Sequence, residues 1–126
     1  MEPDGRATVV IADDSEDIRT LIRMQLERDG RFDVVQEVTN ATDAVEFLRT
    51  HGADLATFDL HMDGMTDLAI LEDVRKARPE TAIVIVTGTY HPARDPDLDL
   101  AKISGWFTKD QIMGDFADRL IALKKG

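Results

Sequence analysis

Asp13-Asp14, Asp59 and Lys109 each close a separate apolar run: Thr8-Val9-Val10-Ile11-Ala12, Asp54-Leu55-Ala56-Thr57-Phe58 and Gly105-Trp106-Phe107-Thr108. If those runs are neighbouring parallel strands, the carboxylates and the ammonium converge at the carboxyl edge of the sheet, where open α/β sheets hold their ligands. Carboxylates that close repel one another, and each raises its neighbours' proton affinity unless a cation sits between them. Mg²⁺ prefers hard oxygen ligands and keeps several waters, so two carboxylates, a backbone carbonyl and a phosphoryl oxygen would complete its shell. Lys109 adds a positive point charge that can pair with an aspartate at rest and with a phosphoryl oxygen afterwards. Thr87, in Ile85-Val86-Thr87-Gly88, offers a hydroxyl to the same group, and Gly88 lets the backbone turn closely around it.

Singly, each residue has an ordinary explanation. Asp13 and Asp14 can cap a helix and match its dipole. Asp59 can be a turn residue, Lys109 a solvated lysine, Thr87 the end of a strand and Trp106 a packing residue. The joint placement of Asp13, Asp14, Asp59, Thr87 and Lys109 at the ends of strands 1, 3, 4 and 5 carries the functional reading, since a multi-part pattern is far less accidental than one part.

The elements that must position these residues follow from periodicity. Val9 to Ala12 and Ile83 to Val86 are continuous, β-branched apolar runs, as in parallel strands covered on both faces. Phe32 to Val38, Leu55 to Phe58 and Gly105 to Thr108 complete five strands. Between them, Ile18, Leu21, Ile22 and Leu26 repeat at helical spacing after Asp14 and Ser15 and stop at Gly30. Thr42 or Asn40 opens a second helix through Ala44, Val45 and Leu48, closed by Gly52, and Leu68, Leu71 and Val74 stripe a third that ends before Pro79. Pro92 and Pro96 forbid a regular helix over 90–95, so a loop and a short helix from about Asp97 to Ile103 are expected next. Asp110 is the expected cap of the last helix, with Ile112, Phe116, Leu120 and Leu123 as its buried stripe. The alternation predicts an α/β fold: a doubly wound five-stranded parallel sheet, flavodoxin-like (βα)5, in the order 2-1-3-4-5.

Composition narrows the function classes. The chain has 126 residues, 43% hydrophobic and 32% charged, and is expected to form one domain over 1–126 with a flexible tail at 1–6. Its formal net charge of -10 repels nucleic-acid phosphates and anionic membranes, so no nucleic-acid or membrane partner is expected for this chain itself. It has no cysteine, hence no disulfide framework or thiolate chemistry. No apolar stretch approaches the roughly 20 residues that span a bilayer, which makes a cytoplasmic location the default.

Over essentially its whole length the chain resembles the response-regulator receiver domain of two-component signalling. The resemblance matches Asp13 and Asp14 to the family's acidic pair, Asp59 to its phosphoacceptor, Thr87 to its switch hydroxyl and Lys109 to its invariant lysine. It also places Trp106 at the aromatic switch position and the His61 main-chain carbonyl as the third protein ligand of Mg²⁺. Asp59-Leu60-His61-Met62-Asp63-Gly64-Met65-Thr66-Asp67 keeps the family's methionine, but Asp63 and Asp67 stand where a proline and a glycine are usual. Gly88 stands where alanine is common after the switch hydroxyl, and Asp110 replaces a proline after the lysine. Lys109-Asp110 is similar to receivers that precede DNA-binding helix-turn-helix domains.

What the resemblance implies is a switch rather than a turnover enzyme. Asp59 would take a phosphoryl group from a histidine kinase or phosphotransfer protein, with Mg²⁺ as cofactor and Lys109 offsetting charge. Thr87 would then be drawn inward and Trp106 would swing in, repacking a face that binds a downstream protein, a fused output domain or a second copy as a phosphorylation-dependent homodimer. Asp63 and Asp110 motivate an alternative, a receiver-like adaptor that binds partners without being phosphorylated. His51 and His91 read as surface residues, and Met24, Met62, Met65 and Met113 as core or loop filling.

Overall fold

The structure is a computed structural model that describes residues 5–62, 69–88 and 103–124. Five strands, β1 (Ala7–Ala12), β2 (Phe32–Val38), β3 (Leu55–Phe58), β4 (Ala82–Thr87) and β5 (Gly105–Thr108), pair in parallel in the order β2-β1-β3-β4-β5. The expected order therefore holds. β1 and β4 begin a residue or two before the apolar runs, at alanines too small to register as strand formers.

The continuous apolar runs are explained by the two faces of the sheet. Val10, Ala56, Phe58, Ile83 and Ile85 pack with Ala44, Val45 and Leu48 of α2 (Ala41–Thr50) and Leu71 and Val74 of α3 (Ala69–Ala77). Their immediate neighbours Val9, Ile11, Leu55, Val84 and Val86 pack the opposite way, with Ile22 and Leu26 of α1 (Glu16–Asp29) and Phe116 and Leu120 of α4 (Phe116–Ile121). Alternate residues point to opposite faces of a strand, so a strand with helices on both faces must be apolar throughout.

Local chemistry sets the helix ends. The Ser15 hydroxyl accepts the Ile18 N–H at 3.3 Å, and Gly30 closes α1 at φ 89°, its N–H donating to the Leu26 carbonyl. Of the two candidates for opening α2, Asn40 is the cap, accepting the Asp43 N–H at 2.8 Å. The last helix differs from expectation. Asp110 does not cap it; Lys109–Gln111 form a short 3-10 turn opened by Thr108, whose N–H donates to Gln111 Oε1 at 2.9 Å. Gly114, at φ 63°, then breaks the path, and α4 starts only at Phe116. The apolar stripe survives, with Ile112, Phe116 and Leu120 fully buried.

Several expectations fall outside the described residues: residues 1–4 of the tail, Leu68, and the short helix after β4 apart from Ile103, which packs against the α2–α3 core. Among the described residues no helix is long and apolar enough to cross a membrane.

Gly105 opens β5 where α4 runs out. A Cβ at this position would collide with Leu123 Cδ1, the end of a flexible side chain. Gly105→Ala is expected to destabilise the domain by about 1 kcal/mol, the low end for overpacking because Leu123 can rotate. Urea denaturation of Gly105→Ala, Leu123→Ala and the double variant checks this: the pair should be less than additive.

Candidate functional site

Strand register brings the charged residues together. β1 and β3 are neighbours, with Ala12 opposite Phe58, so Asp13 and Asp59 leave the sheet side by side. The ladder continues one step past the strands on each side. The Asp13 N–H donates to the Val38 carbonyl at 3.1 Å and the Asp59 N–H to the Ala12 carbonyl at 3.2 Å. Both carboxylates are thus rooted in the sheet, and both are 2% exposed.

The two oxygens of Asp59 have different surroundings. Oδ1 accepts the Thr87 hydroxyl at 3.0 Å and the His61 N–H at 3.1 Å, whereas Oδ2 accepts from Lys109 Nζ at 3.2 Å. Thr87 is fully buried at the end of β4, and Lys109 reaches in from the start of the 3-10 turn. Asp13 Oδ1 accepts the Ser15 N–H at 2.8 Å. Its Oδ2 is buried with no hydrogen-bond partner and lies 3.6 Å from Lys109 Nζ.

Burial, foremost, pushes the Asp13 carboxyl above its ordinary range; the charges of Asp59 and Asp14 add to this, while the Ser15 N–H and Lys109 oppose it. For Lys109 burial works downward, but the combined pull of Asp13 and Asp59 outweighs it and the ammonium is held above its usual value. One lysine therefore only partly offsets a site with excess negative charge.

Asp14 is exposed, beside this pair. One carboxylate oxygen from each of Asp13, Asp14 and Asp59 can lie within 4.8 Å of the others. Opposite ligands of a Mg²⁺ ion stand about 4.2 Å apart, so small side-chain motions would close these oxygens on an ion. Asp13 Oδ2, buried and without a hydrogen bond among the described residues, and an all-oxygen donor set fit such a cation.

The remaining sequence candidates fall into place unevenly. His61 is exposed and contributes its N–H to Asp59, fixing the turn after β3, while Met62 is buried and anchors that turn in the core. Trp106 lies opposite Ile85, half-buried against the α2–α3 core. Asp110 is exposed and accepts the Thr108 hydroxyl. Asp63, Met65, Asp67 and His91 lie outside the described residues. His51 stacks on Phe47 with ring centroids 4.6 Å apart. Met24 and Met113 are not filling: they are 52% and 58% exposed.

Sequence reasoning missed Arg19. Its Nη1 donates to the Asp13 carbonyl at 2.7 Å, and its Nε lies 3.6 Å from Glu37 on β2. A side chain bound to a main-chain oxygen leaves no paired signal in the sequence. The only hint was an arginine one turn into the helix that starts beside the acidic pair.

Comparison with known proteins gives a consistent answer. A family model described as the response regulator receiver domain matches residues 9–117. A curated relative, protein-glutamate methylesterase/protein-glutamine glutaminase 3 of Paramagnetospirillum magneticum, is 37% identical over 86 residues, 67% of this chain and 23% of the relative. The chain thus spans about a quarter of the length of such relatives. Among solved structures, the RcsB response regulator of Salmonella typhimurium superposes with a TM-score of 0.81 at 26% identity, covering 97% of this chain and 63% of RcsB. A LuxR-family DNA-binding response regulator from Staphylococcus aureus gives a TM-score of 0.80 at 20% identity over 93% of this chain and 98% of the other, a likeness of fold. With the fold, the acidic pocket and the family model in agreement over most of its length, the chain belongs to the response regulator receiver domains of two-component signalling.

Proposed function

We propose that Asp59 is the phosphoacceptor of this receiver and that Asp13, Asp14, Asp59 and the His61 main-chain carbonyl are the protein ligands of a Mg²⁺ ion. The observation that carries this reading is the setting of Asp59: it touches Thr87 and Lys109 while two more carboxylates converge on it. The donor is a phosphohistidine of a histidine kinase or phosphotransfer protein in the cytoplasm. A carboxylate oxygen of Asp59 attacks phosphorus, the new O–P bond forms as the N–P bond breaks, and the electron pair stays on the departing imidazole nitrogen. When bound, Mg²⁺ supplies charge neutralisation for the transferring oxygens. Lys109, already facing Asp59 Oδ2, follows the charge onto the phosphoryl group. The test is incubation with Mg²⁺ and acetyl phosphate, with a gain of one phosphoryl in intact mass as the expected result. No gain under conditions that phosphorylate another receiver would overturn it.

Thr87 and Trp106 form the switch. The Thr87 hydroxyl donates to Asp59 Oδ1 at 3.0 Å, within reach of a phosphoryl oxygen carried by that side chain. Thr87→Ala should slow phosphorylation by no more than about tenfold, the scale of one hydrogen bond. It should also abolish the fluorescence change of Trp106, the chain's one tryptophan, on adding acetyl phosphate, while Thr87→Ser should retain that change. An unaltered fluorescence response in Thr87→Ala would remove the hydroxyl from the switch. The output is a downstream partner, a fused domain or a second copy; the proteins it is similar to include a methylesterase and the RcsB response regulator.

Asp63 and Asp110, acids where a proline is usual, favour a second reading, an adaptor that engages partners without phosphorylation. Partner affinity unchanged by acetyl phosphate and by Asp59→Ala would support it over the first.

A further inference from the structure

We propose that Arg19, steadied by Glu37, is a positioning residue that sets the acidic loop for its cation; this rests on the reading of Asp13, Asp14 and Asp59 as a Mg²⁺ site. Every polar group of Asp13 except one is fixed by a partner. Its N–H is held by the Val38 carbonyl, its Oδ1 by the Ser15 N–H and its carbonyl by Arg19 Nη1 at 2.7 Å. Only Oδ2, facing Lys109, is left for an ion. The Asp13 carbonyl belongs to the peptide plane joining Asp13 to Asp14. A donor on that oxygen therefore fixes how the plane is turned, and with it the direction in which both carboxylates leave the chain.

Val38 and Ser15 act from the adjoining backbone, whereas Arg19 acts from within α1. Its side chain is 15% exposed, and Glu37, at 25%, lies 3.6 Å from its Nε. Glu37 also accepts from Arg23 Nη1 at 2.5 Å, and Arg23 in turn lies 3.5 Å from Glu27. The carboxylate of Glu37 has two consequences. It holds the planar guanidinium in the orientation that reaches the Asp13 carbonyl, and it offsets a positive charge that would otherwise repel a cation nearby. Partners of this kind, one shell out from the ligands, commonly alter metal affinity by 10–100-fold. Arg23 shares Glu37 but, among the described residues, makes its ion pairs with Glu37 and Glu27 and not with Asp13 or Asp14, which makes it the internal control.

The experiment is calorimetric titration of Mg²⁺ into the full chain and into Arg19→Ala, Arg19→Lys, Arg23→Ala and Glu37→Gln, without phosphodonor, with urea unfolding of each in EDTA. Arg19→Ala should raise the Mg²⁺ Kd about tenfold while Arg23→Ala stays within about twofold, although both lose a contact with Glu37. Arg19→Lys should fall between, because one ammonium can reach the carbonyl or Glu37 but not both in the same geometry. A purely structural Arg19 would change the unfolding midpoint without separating the two arginines in Kd. Arg19→Ala with a wild-type Kd, or Arg23→Ala with the same loss, would overturn the proposal. Should Arg19→Ala fail to fold, wild-type Kd values for both Arg19→Lys and Glu37→Gln would overturn it equally. An unmodified chain that takes up no Mg²⁺ overturns the underlying site as well; one that binds Mg²⁺ normally alongside an unaffected Arg19→Ala overturns this proposal alone.

Discussion

Asp59→Asn is expected to abolish phosphorylation outright: after incubation with Mg²⁺ and acetyl phosphate, its intact mass should show no added phosphoryl while the parent chain gains one. The substitution conserves volume at a position 2% exposed, and the amide oxygen can still accept from Thr87 and the His61 N–H. What it removes is specific. The amide nitrogen carries no nucleophilic lone pair, and Lys109 loses the anion that holds it at 3.2 Å. Asp13, 3.6 Å from the same ammonium, keeps Lys109 near its place, so the variant should remain folded and a negative result would report on chemistry. A phosphoryl gain that survives Asp59→Asn would move the acceptor elsewhere.

The second large effect belongs to Asp14. Asp14→Ala should weaken Mg²⁺ binding by at least the 10–100-fold typical of losing an outer-shell partner, since a direct ligand is lost. The metal-free domain should be as stable as the parent or more so, by up to about 1 kcal/mol, because an exposed repulsive charge is removed. One objection to that sign was that Asp14 could cap α1. The cap is Ser15, whose hydroxyl accepts the Ile18 N–H, and Asp14 is exposed beside it. Thermal melts with and without Mg²⁺ check both parts. At a Mg²⁺ concentration 100 times its Kd the parent should gain about 2.7 kcal/mol, and the variant no more than about 1.4 kcal/mol at a tenfold loss of affinity or about 0.4 kcal/mol at a 100-fold loss. A clearly destabilised metal-free Asp14→Ala would contradict the account of stored repulsion.

The sheet and the charged residues of the site were legible in the sequence for one reason. Strands covered on both faces must be continuous apolar runs, and acids at the ends of such runs are conspicuous. Val9 to Ala12 ending in Asp13, and Leu55 to Phe58 ending in Asp59, show both at once. The last helix was less legible. Ile112, Phe116, Leu120 and Leu123 have helical spacing, yet Gly114 at positive φ and the Thr108 to Gln111 hydrogen bond delay the helix to Phe116. Spacing reports which side chains share a face, and it does not report where the backbone is regular. Exposed Met24 and Met113 illustrate a similar gap, because methionine is soft enough to serve on either side of the surface. Arg19 left little more than its position as a hint, because the group it binds at the site is a main-chain oxygen, present at every position of any chain.

The extra rungs at Asp13 and Asp59 have a consequence for dynamics. Their amides belong to the same hydrogen-bonded ladder as the central strands, so Asp59 and its buried acidic neighbour cannot fray on their own; exposing either means opening the sheet. The amides of Asp13 and Asp59 are expected to exchange with solvent as slowly as those of β1 and β3. Thr87 is rooted in the same way, as the last residue of β4 paired with Thr108, whereas the Lys109 ammonium reaches Asp59 at the end of a long side chain. On the proposed function, phosphoryl transfer takes place on a rigid anvil, so that a change of the outward face need not loosen the place where the bond is made.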